Sequence, residues 1–94
     1  MAIVEDPEGF EAAAIRELMP SFDGLRILEV GAGDGRLTRV YAAEAASIVA
    51  IDPDTEAIAN LRAELPRVDA RVIGIHELAI PDHSVDVVLF AWSL

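Results

Sequence analysis

The sequence predicts a doubly wound α/β architecture on a parallel sheet, and three observations lead there. Short apolar segments alternate with amphipathic ones along the chain. The apolar segments are near-continuous runs, as in "VDVVLFAW", which suits strands covered on both faces. A glycine cluster, "GAGDG", stands where the first long apolar run gives way to a helical period.

The elements follow in order. Residues 8–19 place Phe10, Ala14, Ile15, Leu18 and Met19 at helical spacing, and Pro20 with Asp23 and Gly24 stops that run. Residues 25–30 form a compact strand ending at the glycines. Residues 36–46 read as helix, with Leu37, Val40, Tyr41 and Ala45 on one side. A second strand covers 47–51 and ends at Asp52 and Pro53. Residues 55–65 repeat the helical period through Ile58, Leu61 and Leu65, closed by Pro66. A third strand covers 70–75, and "HELAIPDHS" is a loop with at most one helical turn. The fourth strand, 85–92, opens at Val85 and ends at Trp92. The chain then stops at Leu94, on its most apolar strand, which would leave a bare sheet edge. The expectation is a truncated or engineered chain, a single half-domain over residues 1–94.

Composition narrows the chemistry. With 53% hydrophobic and 26% charged residues, the chain is too apolar for disorder. At 94 residues it holds one domain, burying only roughly 60–65% of its unfolded surface. The absence of cysteine excludes disulfides, thiolate metal sites and a cysteine nucleophile. No lysine occurs, which excludes Schiff-base chemistry and a phosphate-binding lysine of the Walker type. A net charge of −10 opposes nucleic acid but tolerates a small cation or zwitterion. The first residues carry acids rather than a basic leader, and no apolar run is long enough to span a membrane. A cytoplasmic location is the expectation.

The chemistry concentrates in "ILEVGAGDGRL". Gly31, Gly33 and Gly35 follow a strand and precede a helix, where glycine lets a ligand lie against the backbone and free N–H groups point at it. Taken alone, three glycines could be just a tight strand-to-helix turn. Asp52 ends the second strand, and a doubly wound fold sets its carboxylate beside that turn, ready for both hydroxyls of a ribose. The competing role, capping the next helix, can be filled by Asp54 or Thr55. A dinucleotide fingerprint needs glycine or alanine at 36, where Arg36 stands, so NAD is the weaker nucleoside reading.

"LEVGAGDGRLT", "AIDPD" and "ELAIPDHSVDVVLFAWSL", in that order, resemble the N-terminal half of a class I S-adenosylmethionine-dependent methyltransferase. The resemblance runs from Leu25 to Leu94, and the helix at 8–19 fits the family's leading helix. It implies a Rossmann-like half-domain: four of the family's seven parallel strands, in the order 3-2-1-4, with helices on both faces. It further implies that Glu29 helps hold the methionine end through water. Gly31, Ala32 and Gly33, within the turn that Gly35 completes, would lie against methionine and ribose. Asp52 would take the ribose hydroxyls and Pro53 would lie beside adenine. The family commonly places an Asp after the glycine of its third strand, to accept from the adenine amino group. Here Ile75 follows Gly74, leaving the backbone N–H of His76 to meet the ring. Ala91 and Trp92 would face the methionine end.

The remaining polar residues read as structural. His76 and His83 lack a third ligand, so no metal is expected. Asp82 and Asp86 belong to turn chemistry rather than paired acid–base work, and no catalytic residue is expected. The leading reading is thus a half-domain that binds S-adenosylmethionine or S-adenosylhomocysteine, with little or no transferase activity. A second reading is an assembly module that homodimerises through the strand from Val85 to Trp92. An NAD-binding fragment is the third.

Overall fold

The computed structural model describes residues 2–5, 21–77 and 84–91. Its elements are β1 (Ala2–Glu5), β2 (Arg26–Val30), α1 (Thr38–Tyr41), β3 (Ser47–Asp52), α2 (Thr55–Glu64), β4 (Asp69–Val72) and β5 (Val87–Phe90). A short 3₁₀ turn, Ile75–Glu77, follows β4. All strands pair in parallel in one sheet, ordered β1-β5-β2-β3-β4. The four expected strands therefore stand in the expected 3-2-1-4 order. Among the described residues no helix is long and apolar enough to cross a membrane.

The sheet has one strand more than expected. β1 pairs with β5 from Ala2↔Val87 to Glu5↔Phe90. The fourth strand of the sequence is therefore interior, flanked by β1 and β2. This corrects the exposed edge on which the homodimer reading rested, because a second copy could pair there only by displacing β1. The outer edge on the other side is β4, where Arg71 Nη2 meets Asp69 Oδ2 at 2.7 Å and sets charge along the open strand.

Alternation along the strands builds two apolar layers. Ile27, Ile48, Ala50, Val87 and Leu89 pack with Leu37 and Tyr41 around α1 and with Ile58 and Leu61 of α2. Leu28, Val30, Ile51 and Val88 form the opposite layer. Both described helices thus cover one face. That is what right-handed crossovers require when β2, β3 and β4 are laid down in one direction. The helix expected over 8–19 lies outside the described residues, as does the strand end at Trp92.

Local chemistry sets the boundaries. Asp54 caps α2, its Oδ1 accepting from the N–H groups of Glu56 and Ala57 at 3.0 and 3.1 Å. α1 is shorter than the expected 36–46. The Arg67 guanidinium donates to the carbonyls of Ala42 and Ala45, turning the chain out of the helix before β3. β4 stops at Val72 rather than 75 because its partner β3 ends at Asp52, before a proline with no N–H to offer. Arg26 fastens β2 to β5: Asp86 Oδ2 accepts from its backbone N–H at 2.8 Å and its Nε at 3.1 Å, and Oδ1 from its Nη2 at 3.0 Å. That clamp holds the Asp86 carboxyl down at about 2, through the Arg26 side-chain hydrogen bonds first and its backbone N–H second. Asp86 is thus a strand clamp rather than only a turn residue.

Gly35 sets the distance between the glycine turn and α2. Its φ is +95°, and a Cβ built on it would lie 2.5 Å from Leu61 Cδ1. Replacing Gly35 by alanine is expected to cost about 2–4 kcal/mol, from left-handed backbone strain and overpacking. Urea denaturation checks this. In a Leu61→Ala background the same substitution should cost less, and equal costs in both backgrounds would show that the Leu61 contact is not the constraint.

Candidate functional site

β2 ends at Val30 and the glycine turn begins, strapped to the neighbouring strand. The N–H groups of Gly31 and Ala32 both donate to the Ile51 carbonyl, at 2.9 and 3.1 Å. Gly31 and Gly33 adopt positive φ, 77° and 57°. A Cβ on Gly33 would have nothing within 4 Å, so the turn presents bare backbone to open space. This is the crevice at the carboxyl ends of the strands, beside the point where the strand order reverses between β2 and β5.

A pocket of about 510 Å³ opens there, a volume suited to a nucleoside-sized ligand. Its lining comes from the ends of β2 and β3 and from the segment after β4. Of the residues singled out by sequence, Gly31, Asp52, Pro53 and His76 line it. Val30, Ile51, Ile73, Gly74 and Glu77 complete it. Ile73 and Glu77 escaped the sequence reading, which named Gly74 only as the glycine before Ile75, although "IGIHE" directly follows a strand, where such folds place ligand-facing loops.

Asp52 is the pocket's anchored acid. Its Oδ2 accepts from the Gly33 N–H at 3.0 Å and its Oδ1 from the Asp54 N–H at 2.8 Å. Each oxygen uses one lone pair on backbone and keeps another for a ligand. Because Asp54 does the helix capping, Asp52 is not consumed by that role. The carboxylate also ties the tip of β3 to the glycine turn, so its orientation is set by main chain.

The other expected residues lie elsewhere. Gly35 is buried against Leu61, ordered by helix packing rather than by the pocket. Ala32 and Ala91 are buried in the core layer under the helices, and the Ala91 N–H donates to the Val30 carbonyl at 2.8 Å. Ile75 opens the 3₁₀ turn. Glu29 is fully buried beneath the glycine turn. Its Oε1 accepts from Thr38 Oγ1 at 2.9 Å and from the Tyr41 hydroxyl, while Oε2 has no partner among the described residues. The strand alternation that buries Ile27 under the helices carries Glu29 to the same side, where α1 supplies both hydroxyls.

Burial pushes the Glu29 carboxyl up to about 7, with the hydrogen bonds from Tyr41 and Thr38 and the charge of Arg36 opposing. A carboxyl raised on folding favours the native state fully below its unfolded value, near 4.5, and that contribution is lost as pH climbs through about 7. The shift corresponds to roughly 3 kcal/mol. Relative to Glu29→Gln, the wild-type protein is therefore expected to lose stability by about that amount between pH 4 and 8, measured by denaturation at each pH. A difference between the two proteins that does not change with pH would contradict the buried, raised carboxyl.

Comparison with known proteins follows the same lines. Residues 27–94 match the methyltransferase domain family. A probable S-adenosylmethionine-dependent methyltransferase of Mycobacterium tuberculosis is 36% identical over 74 residues, covering 79% of this chain and 27% of the relative. An uncharacterized methyltransferase of Mycobacterium bovis is 40% identical over 78 residues, covering 83% and 32%. The chain thus spans about a quarter to a third of the length of the curated relatives it matches. Among solved structures, an S-adenosylmethionine-dependent methyltransferase from Mesorhizobium loti superposes with a TM-score of 0.73 at 26% identity, over 85% of this chain and 39% of that one. Haemonchus contortus phosphoethanolamine N-methyltransferase 1, in complex with phosphoethanolamine and S-adenosylhomocysteine, shares the fold with a TM-score of 0.76 at 24% identity, over 84% and 18%. The parallel sheet, its glycine turn and the match over residues 27–94 agree, and the chain belongs to the methyltransferase domain family.

Proposed function

We propose that this chain binds S-adenosylmethionine and its product S-adenosylhomocysteine, as the donor-binding half of a class I methyltransferase. The observation that carries the reading is the Asp52 carboxylate, held by the Gly33 and Asp54 N–H groups at the rim of the pocket with accepting capacity to spare. A ribose diol is the ligand group that matches it, two donors for two oxygens. Gly31 and the open face of Gly33 allow ribose and methionine to lie against main chain. Pro53 and Ile51 give the base an apolar rest, and the His76 N–H is available to a ring nitrogen.

Glu29, buried with Thr38 and Tyr41, is a positioning residue: it braces the glycine turn from below rather than reaching the pocket. Ala32, Gly35 and Ala91 act the same way, through packing. The bound donor supplies an electrophilic methyl group on sulfonium, which transfers by in-line displacement and needs little acid–base help. What remains for these residues is to hold the donor in one orientation. The net charge of −10 favours the cationic donor over its neutral product. The family builds its acceptor site from elements beyond the strand that β5 represents here. These 94 residues on their own are therefore proposed to bind the donor with little or no turnover.

Calorimetric titration with S-adenosylhomocysteine tests the reading. Saturable binding is expected in the wild-type chain, weakened roughly 10–100-fold in Asp52→Ala by the loss of hydrogen bonds to a charged acceptor. Asp52→Asn, which retains one accepting oxygen, should fall between. No binding heat up to millimolar ligand, with circular dichroism confirming a folded chain, would overturn it.

A further inference from the structure

The sheet ends at β4, and beyond it no described strand follows. Asp69 and Arg71, two places apart, project from one face of this edge strand. Their side chains are 53% and 48% exposed. Hydrogen bonds from Arg71 hold the Asp69 carboxyl below its usual range, so both groups are charged at neutral pH. The opposite face is apolar. Ala70 and Val68, the residue before the strand, are buried in the layer under the helices. Val72 shares that side and, among the described residues, is a large apolar side chain left exposed, at 38%.

Residues 68–72 read V-D-A-R-V. Reversed about Ala70, the segment is complementary to itself: valine meets valine and aspartate meets arginine. A two-fold axis through Ala70 would set residue 69 of each strand directly opposite residue 71 of the other, the isologous pattern of a symmetric pair. Each charge would then have one opposite neighbour along its own strand and one across, in a square of alternating sign. The two carboxylate oxygens and the guanidinium fork have the capacity to serve both neighbours. On the other face, each Val72 comes alongside the second copy's Val68. In-register parallel pairing would instead set like charges against each other. The main chain has room as well. Arg62 Nε, reaching from α2, donates to the Ala70 carbonyl at 2.9 Å, and a carbonyl oxygen so engaged keeps a second lone pair for an incoming N–H.

We propose that β4 is a self-recognition edge, at which two copies of this chain pair antiparallel about an axis at Ala70 and join their five-stranded sheets. The charges that guard the edge against other strands thereby select a second copy. The paired strand is only four residues long and each chain carries a net charge of −10, so the pair is a weak, reversible dimer. The donor-binding reading plays no part in this inference.

Sedimentation equilibrium up to millimolar chain tests it. The wild-type protein is expected to show a concentration-dependent monomer–dimer equilibrium. Asp69→Arg places arginine opposite the second copy's Arg71, and Arg71→Asp places aspartate opposite its Asp69. Either change alone should weaken dimerisation about tenfold or more, since two attractive contacts become repulsive. Mixing the two variant chains restores opposite signs at both contacts, as does making both substitutions in one chain. Both samples should associate about as well as the wild type. The double swap leaves the net charge at −10, so its recovery reports the local match rather than overall repulsion. Circular dichroism checks that each variant is folded. A wild-type chain that stays monomeric at millimolar concentration overturns the proposal. So does a dimer indifferent to the single reversals, or one that neither mixing nor the double swap restores.

Discussion

The missing side chain at Gly35 is the constraint on which the rest of the arrangement depends. With 2.5 Å between a built Cβ and Leu61 Cδ1, the side chains of α2 occupy the space that any side chain at position 35 would need. That approach buries Leu61 and Ile58 completely against the sheet, worth about 1.5–3 kcal/mol for each side chain. It also fixes the start of α2, and with it Asp54 and the loop carrying Asp52. The dinucleotide fingerprint assigns close helix packing to a glycine at the third position of its motif. Here the same service comes one residue earlier, which is why Arg36 is tolerated at the next place.

The three acids around the turn show how far environment, rather than residue type, decides role. Glu29 is out of reach of water, and its charged form is disfavoured. Asp52 is steadied by two main-chain donors. Glu77 is exposed and holds itself in place with one of its two oxygens, which accepts from the Gly74 N–H. Together they give the site one neutralisable acid below the backbone and two accepting groups above it. Because each is oriented by backbone or by buried hydroxyls, little side-chain ordering is left to be done when a ligand arrives.

Much of this was legible in the residues. β2 and β3 could be read because interior parallel strands are written as apolar runs, and α2 because Asp54 and Pro66 punctuate a clear helical period. Asp52 was legible because a strand end followed by proline leaves few places for the carboxylate to go. β1 was not: "AIVE" is four residues long, runs straight into acids, proline and glycine, and earns strand geometry only from a partner some 85 residues away. The partnership of Glu29 with Tyr41 was equally hidden, since it depends on where the glycine turn delivers α1. Glu77 was missed because its reach comes from a single 3₁₀ turn, a feature with almost no periodic signature.

The pairing of β1 with β5 has a bearing on how the chain acquires its shape. Ala2 meets Val87 and Glu5 meets Phe90, so β1 must wait for a segment some 85 residues further along before it has this neighbour. Closing so long a loop carries an entropic cost that grows only logarithmically, yet it delays the contact until the intervening strands and helices have condensed. β2, α1, β3, α2 and β4 are linked by short connections and can assemble as an inner unit during synthesis. β5 then joins β2 with its other flank still open, and β1 closes it last. The interval between those two events is when the most apolar strand of the molecule lies unprotected, and it is the stage of folding at which aggregation competes most directly with completion.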